Sequence, residues 1–278
     1  MRRSIFIQSL LLLLVVSAGE DGIVARAAER DPIPTAEWPN PTNTGVRPHV
    51  KLTRSGDVVA DQAGVTISGL DIEGRVYIKA PNVTLIDSKV TSASFYIVRI
   101  EPGVTGTVIK NCEINGGGSG NDGSYGIVGQ GTFIANNIYN VENGIGVSGS
   151  DTLIQDNYIH DLLASGSPHY DGISIDGGNA NIVVRHNTVI NRHTQTSAVM
   201  IDNYFGPISN IEVDGNLLMG GGYTVYSSAQ FNGGSVEGVS FTKNRMGRGR
   251  WGYSSIVKNL PVWRENVDSA TGRTIGPR

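Results

Sequence analysis

Along most of the chain, apolar residues recur at fixed offsets around one repeated position. With that position as zero, its occupants are Leu70, Ser88, Cys112, Asn136, Asn157, Asn187, Asn216 and Asn244. Three residues earlier stand Ile67, Leu85, Ile109, Phe133, Ile154, Val184, Val213 and Phe241; two residues later stand Ile72, Val90, Ile114, Ile138, Ile159, Val189, Leu218 and Met246. The zero positions lie 18 to 30 residues apart. Local alternation with period two and no helical period predicts a coil of short strands. The odd spacing between −3 and zero requires a bend or bulge, which turns the Asn inward. A buried amide must be hydrogen bonded, and a column of them can bond from coil to coil. The prediction is an all-β, single-stranded right-handed parallel β-helix, a solenoid of about eight coils with an asparagine ladder. A β-sandwich or barrel does not require one residue type at a fixed point of each repeat.

After the ladder each coil carries a further strand, among them Tyr96–Glu101, Gly126–Gln130, Gly144–Ser148, Gly172–Asp176, Ala198–Asp202 and Tyr223–Tyr226. Levelling their aliphatic positions predicts one outward column holding Asp176, Asp202 and then Tyr226. Two carboxylates on neighbouring strands bind a cation, share a proton or splay into solvent. The competing reading is turn chemistry, because both aspartates stand where strands end. Loops 115–124, 160–171 and 190–197 are long and polar and leave the rod at one corner. They are expected to wall a groove whose floor presents Arg99, Ser174, Met200, Thr224, Asp176, Asp202 and Tyr226. His169, Tyr170 and Asp171 lead into that floor, His193 sits in the corresponding loop of the next coil, and Tyr204 with Phe205 offers aromatic surface for sugar rings. His160 and His186 flank ladder positions and are expected to be structural.

Composition refines this picture. Gly is frequent, at 37 of 278 residues, and charged residues are few, at 17%, which suits many tight turns. Met1-Arg2-Arg3 followed by an apolar run predicts a signal peptide over 1–27 and a secreted protein; an uncleaved anchor is the alternative. Without 1–27 the chain keeps 19 basic and 23 acidic residues. No basic stripe interleaved with aromatics points to nucleic acid, and no stable membrane association is expected after cleavage. Arg245, Arg248 and Arg250 form one small basic spot, read as a solvated turn or an anionic-sugar contact. The single Cys112 excludes internal disulfides and falls in the ladder column as a buried thiol. Residues 28–60, rich in Pro, predict an extended arm anchored by Trp38; 61–262 form the β-helix, 263–278 a C-terminal cap, and the protein is expected to be a monomer.

The ladder, the Gly-Ile-Ser-Ile-Asp strand at 172–176 and the exported context resemble the pectate lyase superfamily. His169-Tyr170-Asp171-Gly172-Ile173-Ser174-Ile175 is similar to the Asn-Thr-Asp-Gly-Ile-Asp-Ile segment of polygalacturonase-type hydrolases at Asp-Gly-Ile and the final Ile. The paired Asp-Asp and the Gly-His-Gly of those hydrolases, and the catalytic Arg motif of the lyases, have no counterpart. The resemblance implies a polysaccharide or oligosaccharide partner. Three functions follow. The first is a lyase cleaving a uronic-acid polymer by β-elimination, with His169 and Tyr170 as base and acid and Asp176 and Asp202 holding Ca²⁺. The second is a non-catalytic glycan-binding protein. The third is an inverting glycoside hydrolase using Asp171, Asp176 or Asp202.

Overall fold

A computed structural model describes residues 37–277 apart from Asp122. The expected signal peptide and residues 28–36 of the expected arm lie outside the described residues. Three parallel sheets of nine, ten and nine strands form the walls of the rod. Each coil gives one strand to each sheet in turn, as in Thr132–Ile134, Asn137–Tyr139 and Asn143–Val147. They are called here the first, second and third sheets. Inward aliphatics stack between coils, for example Ile127, Ile145, Ile173 and Val199 in the third sheet, all fully buried. Each such side chain contributes about 1.5–3 kcal/mol by leaving water.

The bend required by the odd spacing is a single left-handed residue. The residue just before each zero position has φ between 48° and 67°, from Gly69 and Asp87 through to Glu265. It joins the first sheet to the second and turns the next side chain into the core. The ladder then forms as expected: the main-chain N–H and Nδ2 of Asn157 both donate to Asn187 Oδ1 at 2.9 Å, and Nδ2 also reaches Phe133 O. Cys112 N–H donates to Asn136 Oδ1, so the column continues through the thiol. It also runs one Asn further than the repeat pattern drew it, because Asn244 donates to Asn266 Oδ1.

The rod extends past the expected boundaries at both ends. Thr53–Ser55 and Val58–Ala60 are already coil strands, and Val262–Arg264 and Val267–Asp268 add a last partial coil. Before them, the Pro-rich arm runs back along the rod over the left-handed column. The Trp38 ring stacks on His186 at 5.3 Å, Gly45 N–H donates to Ala135 O, and Arg47 Nε donates to Asp87 Oδ1 at 2.8 Å. Glycine suits this close approach, since Gly45 has φ 79° and a Cβ there would stand 3.2 Å from Asn137 Cβ. At the other end, the Trp263 indole donates to Ile275 O, and Ile275 N–H donates to Asn266 O. Among the described residues the one helical turn is Gly118–Gly120, and no helix is long and apolar enough to cross a membrane.

Candidate active site

The third sheet carries the site, because its strands follow the long loops 116–124, 161–172 and 192–198. Its outward positions form a grid. Asp171, Ser174 and Asp176 belong to one coil; Ser197, Met200 and Asp202 occupy the equivalent places in the next. Ser174 pairs with Met200, and Ile175 with Ile201, so Asp176 and Asp202 follow adjacent paired residues. Their backbones are therefore about 4.8 Å apart. The predicted aspartate column exists.

Tyr226 is not in it. Val225 pairs with Val199, which sets Tyr226 beside Met200, and Ser228 is the residue bridged to Asp202. The shift has a local cause: Ser227 fills the inward place equivalent to Ile201, its hydroxyl bonded to Asn259 Oδ1 at 2.8 Å. An inward serine breaks the apolar alternation from which the alignment was read. Thr224 leaves the floor as well, being fully buried with its hydroxyl on Gly247 O.

Three carboxyl groups gather on the floor without a basic partner. Burial pushes Asp171 well above the ordinary carboxylate range, against two opposing hydrogen bonds from the Ser197 N–H and hydroxyl to its Oδ1. Asp176 is pushed up to about 6, first by burial and then by the charge of Asp202. The Ser174 hydroxyl lies near enough to favour the Asp176 anion slightly but makes no hydrogen bond of regular geometry. Asp202 is raised too, by burial, with Tyr204 N–H holding its Oδ1 at 2.9 Å in the opposite sense. The same burial and the nearby aspartates push the Tyr125 phenol up to about 12. Among the described residues no three His, Cys, Asp or Glu side chains converge as a metal site. Asp176 and Asp202 offer two carboxylates, where Ca²⁺ takes six to eight oxygens.

A cavity of about 440 Å³ opens over this floor. Asp176 and Ser174 lie at its base, with Phe95, Tyr96 and Tyr125 on one side and Phe205 on the other. Gly146 makes the base flat: a Cβ there would stand 2.9 Å from the Tyr125 ring. Arg99 lies outside this cavity. It pairs with Val128 at one further strand step and lines a separate hollow with Tyr77, Tyr96 and Arg75, its guanidinium 4.8 Å from the Tyr96 ring centre.

The loop residues divide. Tyr170 is buried, its hydroxyl on the Ala164 main chain and its ring stacked 3.5 Å from that of His193. His193 is held in turn by Leu162 O at 2.7 Å, so this pair ties two loops together. His169 is exposed, its main-chain N–H on Glu142 Oε1 at 2.8 Å. Tyr204 and Phe205 are 60% and 74% exposed on the far rim. Several residues that hold the site escaped the sequence reading. Asn121, Asn191 and Asn203 are buried away from the ladder, and each amide pins a wall loop by its main-chain carbonyls. Thr196 has φ 49° beside Ser197, a strained setting for a β-branched residue. The Asn-rich character of the loops was the only signal for the pins.

Compared with known protein families, residues 55–232 match the model described as a right handed beta helix region. The chain is a member of that family. No curated protein and no solved structure matches it. The three sheets, the inward ladder and the turn at each left-handed residue are thus the build of a right-handed β-helix, and among the described residues the loop-flanked third sheet is the face that holds the raised carboxyl groups Asp171, Asp176 and Asp202.

Proposed function

We propose that this β-helix is a carbohydrate-active protein that hydrolyses a glycan in the groove over its third sheet, with Asp176 as general acid and Asp202 as general base. One observation carries the reading: two adjacent carboxyl groups, both raised by burial, that meet no basic side chain among the described residues. Such a pair holds one proton between them. Asp176, the more strongly raised, keeps it; Asp202, favoured as the anion by Tyr204 N–H, takes the charge. Asp176 then gives its proton to the glycosidic oxygen as the C1–O bond breaks. Asp202 accepts a proton from the water whose oxygen attacks C1, so one water is consumed, and the separation of the two carboxyl groups with substrate bound sets the stereochemical outcome. Asp171 stays protonated and keeps the Ser197 loop in place.

The likeness to the pectate lyase superfamily supports a glycan-directed groove but does not select the reaction. β-Elimination fits the floor less well. It needs a cation against the uronate carboxylate, and the floor offers carboxyl groups instead. Tyr170, the acid expected for it, has its hydroxyl engaged. Secretion and a polysaccharide partner belong to this proposal, secretion resting on the first residues alone.

The test is a panel of polysaccharides with and without a calcium chelator, following both new reducing ends and the absorbance of an unsaturated product. Hydrolysis predicts reducing ends without the chromophore, unaffected by chelation, and a loss of about a hundredfold or more in Asp176→Asn and in Asp202→Asn. Growth of the chromophore establishes elimination. Calcium dependence restores the metal role of the aspartate pair. Full activity in both variants sinks the site.

A further inference from the structure

The geometry points to a neutral glycan as the substrate of this groove, gripped between two aromatic walls that present bare ring surface to the C–H faces of its sugars. The inference rests on the proposed glycan site and goes further, because it names the class of sugar. Its first support is the lining of the cavity over Asp176. Phe95, Tyr96, Tyr125 and Phe205 contribute rings, Asp176 is the one charged residue among the lining side chains, and no Lys or Arg belongs to it. An anionic sugar placed there meets the raised carboxyl group of Asp176 and no counter-charge among the lining side chains. An uncharged pyranose meets hydrogen-bonding groups at Asp176 and Ser148, and apolar surface at the sides.

The second support is how the walls are built. Phe95 stands edge-on to Tyr96 at 4.7 Å and leans on Tyr125 at 5.9 Å, yet stays half exposed. On the opposite rim Tyr204 stands edge-on to both Phe205, at 4.8 Å, and Phe231, at 5.1 Å. Large exposed rings are costly in water and are not set in place by a core, so something else must fix them. Here it is the fully buried Asn203, whose Nδ2 donates to Phe231 O and Gly234 O and whose Oδ1 accepts from Phe231 N–H. Phe205 N–H donates to Asp176 O, and Tyr204 N–H to Asp202 Oδ1. The far wall is therefore bonded directly to the two residues assigned to the chemistry. Rings held rigidly in solvent, next to the reacting groups, suit a planar apolar face arriving from outside.

The experiment measures binding in Asp176→Asn, which removes turnover and leaves the walls intact. The probes are linear hexasaccharides of β-1,4-glucose, β-1,3-glucose, β-1,4-xylose and β-1,4-mannose, with hexagalacturonate as the anionic arm, titrated by calorimetry. At least one neutral probe is expected to bind more tightly than hexagalacturonate. Adding Phe205→Ala or Phe95→Ala should weaken that probe about tenfold, with the melting temperature of the Phe205 variant unchanged because that ring is exposed. Tighter binding of hexagalacturonate than of every neutral probe overturns the inference, as does binding of none of them. Unchanged affinity in both ring variants overturns it too. Neutral binding without hydrolysis by the wild type leaves the substrate class standing and removes the acid–base assignment; hydrolysis of an anionic polymer does the reverse.

Discussion

At the scale of single residues, the ladder amides and the floor carboxyl groups are both buried polar groups, with opposite consequences for stability. Asn157 is satisfied throughout: its amide donates to Phe133 O, Gln155 O and Asn187 Oδ1, and its Oδ1 accepts two bonds from Asn136. Asn157→Ala leaves several of these partners unmet in a dry column, and chemical denaturation should show a loss of about 1–3 kcal/mol. Asp176 is the reverse case. Its carboxyl sits at about 6 in the fold against 3.8 in an open chain, so the folded rod holds that proton more tightly. The stability it gives is full below the open-chain value and is lost as pH rises through about 6. Melting curves should therefore show the rod gaining stability on acidification from about pH 8 to about pH 5, and Asp176→Asn should remove about 1.4 kcal/mol of that change. Activity should fall over the same rise in pH, since Asp176 loses the proton it donates. Cys112 is a simpler matter: burial pushes its thiol up to about 12, and thiol reagents should label it only on unfolding.

At the scale of the element, what was legible in the sequence was whatever repeats. The −3, zero and +2 positions were visible because each strand has one inward face and the interior admits few residue types. The bend was required by parity, but its form was hidden, because left-handed residues as unlike as Asp87, Ala135, His186 and Lys243 share no chemistry. Ala135 lacks the side-chain oxygen that helps Asp or Asn in that region. Ala135→Gly should accordingly raise stability by about 0.5–1 kcal/mol, read from the shift in denaturation midpoint. The candidate site was legible in its aspartates, which stand on rigid strands with regular register. It was misread at Tyr226, where Ser227 turns inward, and at Tyr170 and His193, whose loop packing no periodicity reports. The aromatic walls were missed in part because Phe95 and Phe231 belong to loops fixed by isolated asparagines.

At the scale of the whole molecule, a parallel rod must close its ends or expose strand edges that recruit other chains. The C-terminal tail does this over the last ladder coil, with Thr274 bridged to Val267 in antiparallel fashion and Ile275 on Asn266. A chain ending at Asp268 should self-associate, seen as earlier elution from a sizing column, whereas the full chain should not. The ladder itself has a direction. Between side chains, every rung from Asn136 to Asn244 donates to the rung on its C-terminal side, while its Nδ2 also reaches back to a main-chain carbonyl of the preceding coil. Cutting the chain in the loop between His160 and Ile173 would thus yield two unlike faces, one ending in the donors of Asn157 and the Ile154 carbonyl, the other opening on the Oδ1 and Nδ2 of Asn187. Like faces cannot satisfy each other, and unlike faces can. The two halves carry, in the polarity of their amides, the instruction for rejoining head to tail and in one orientation only.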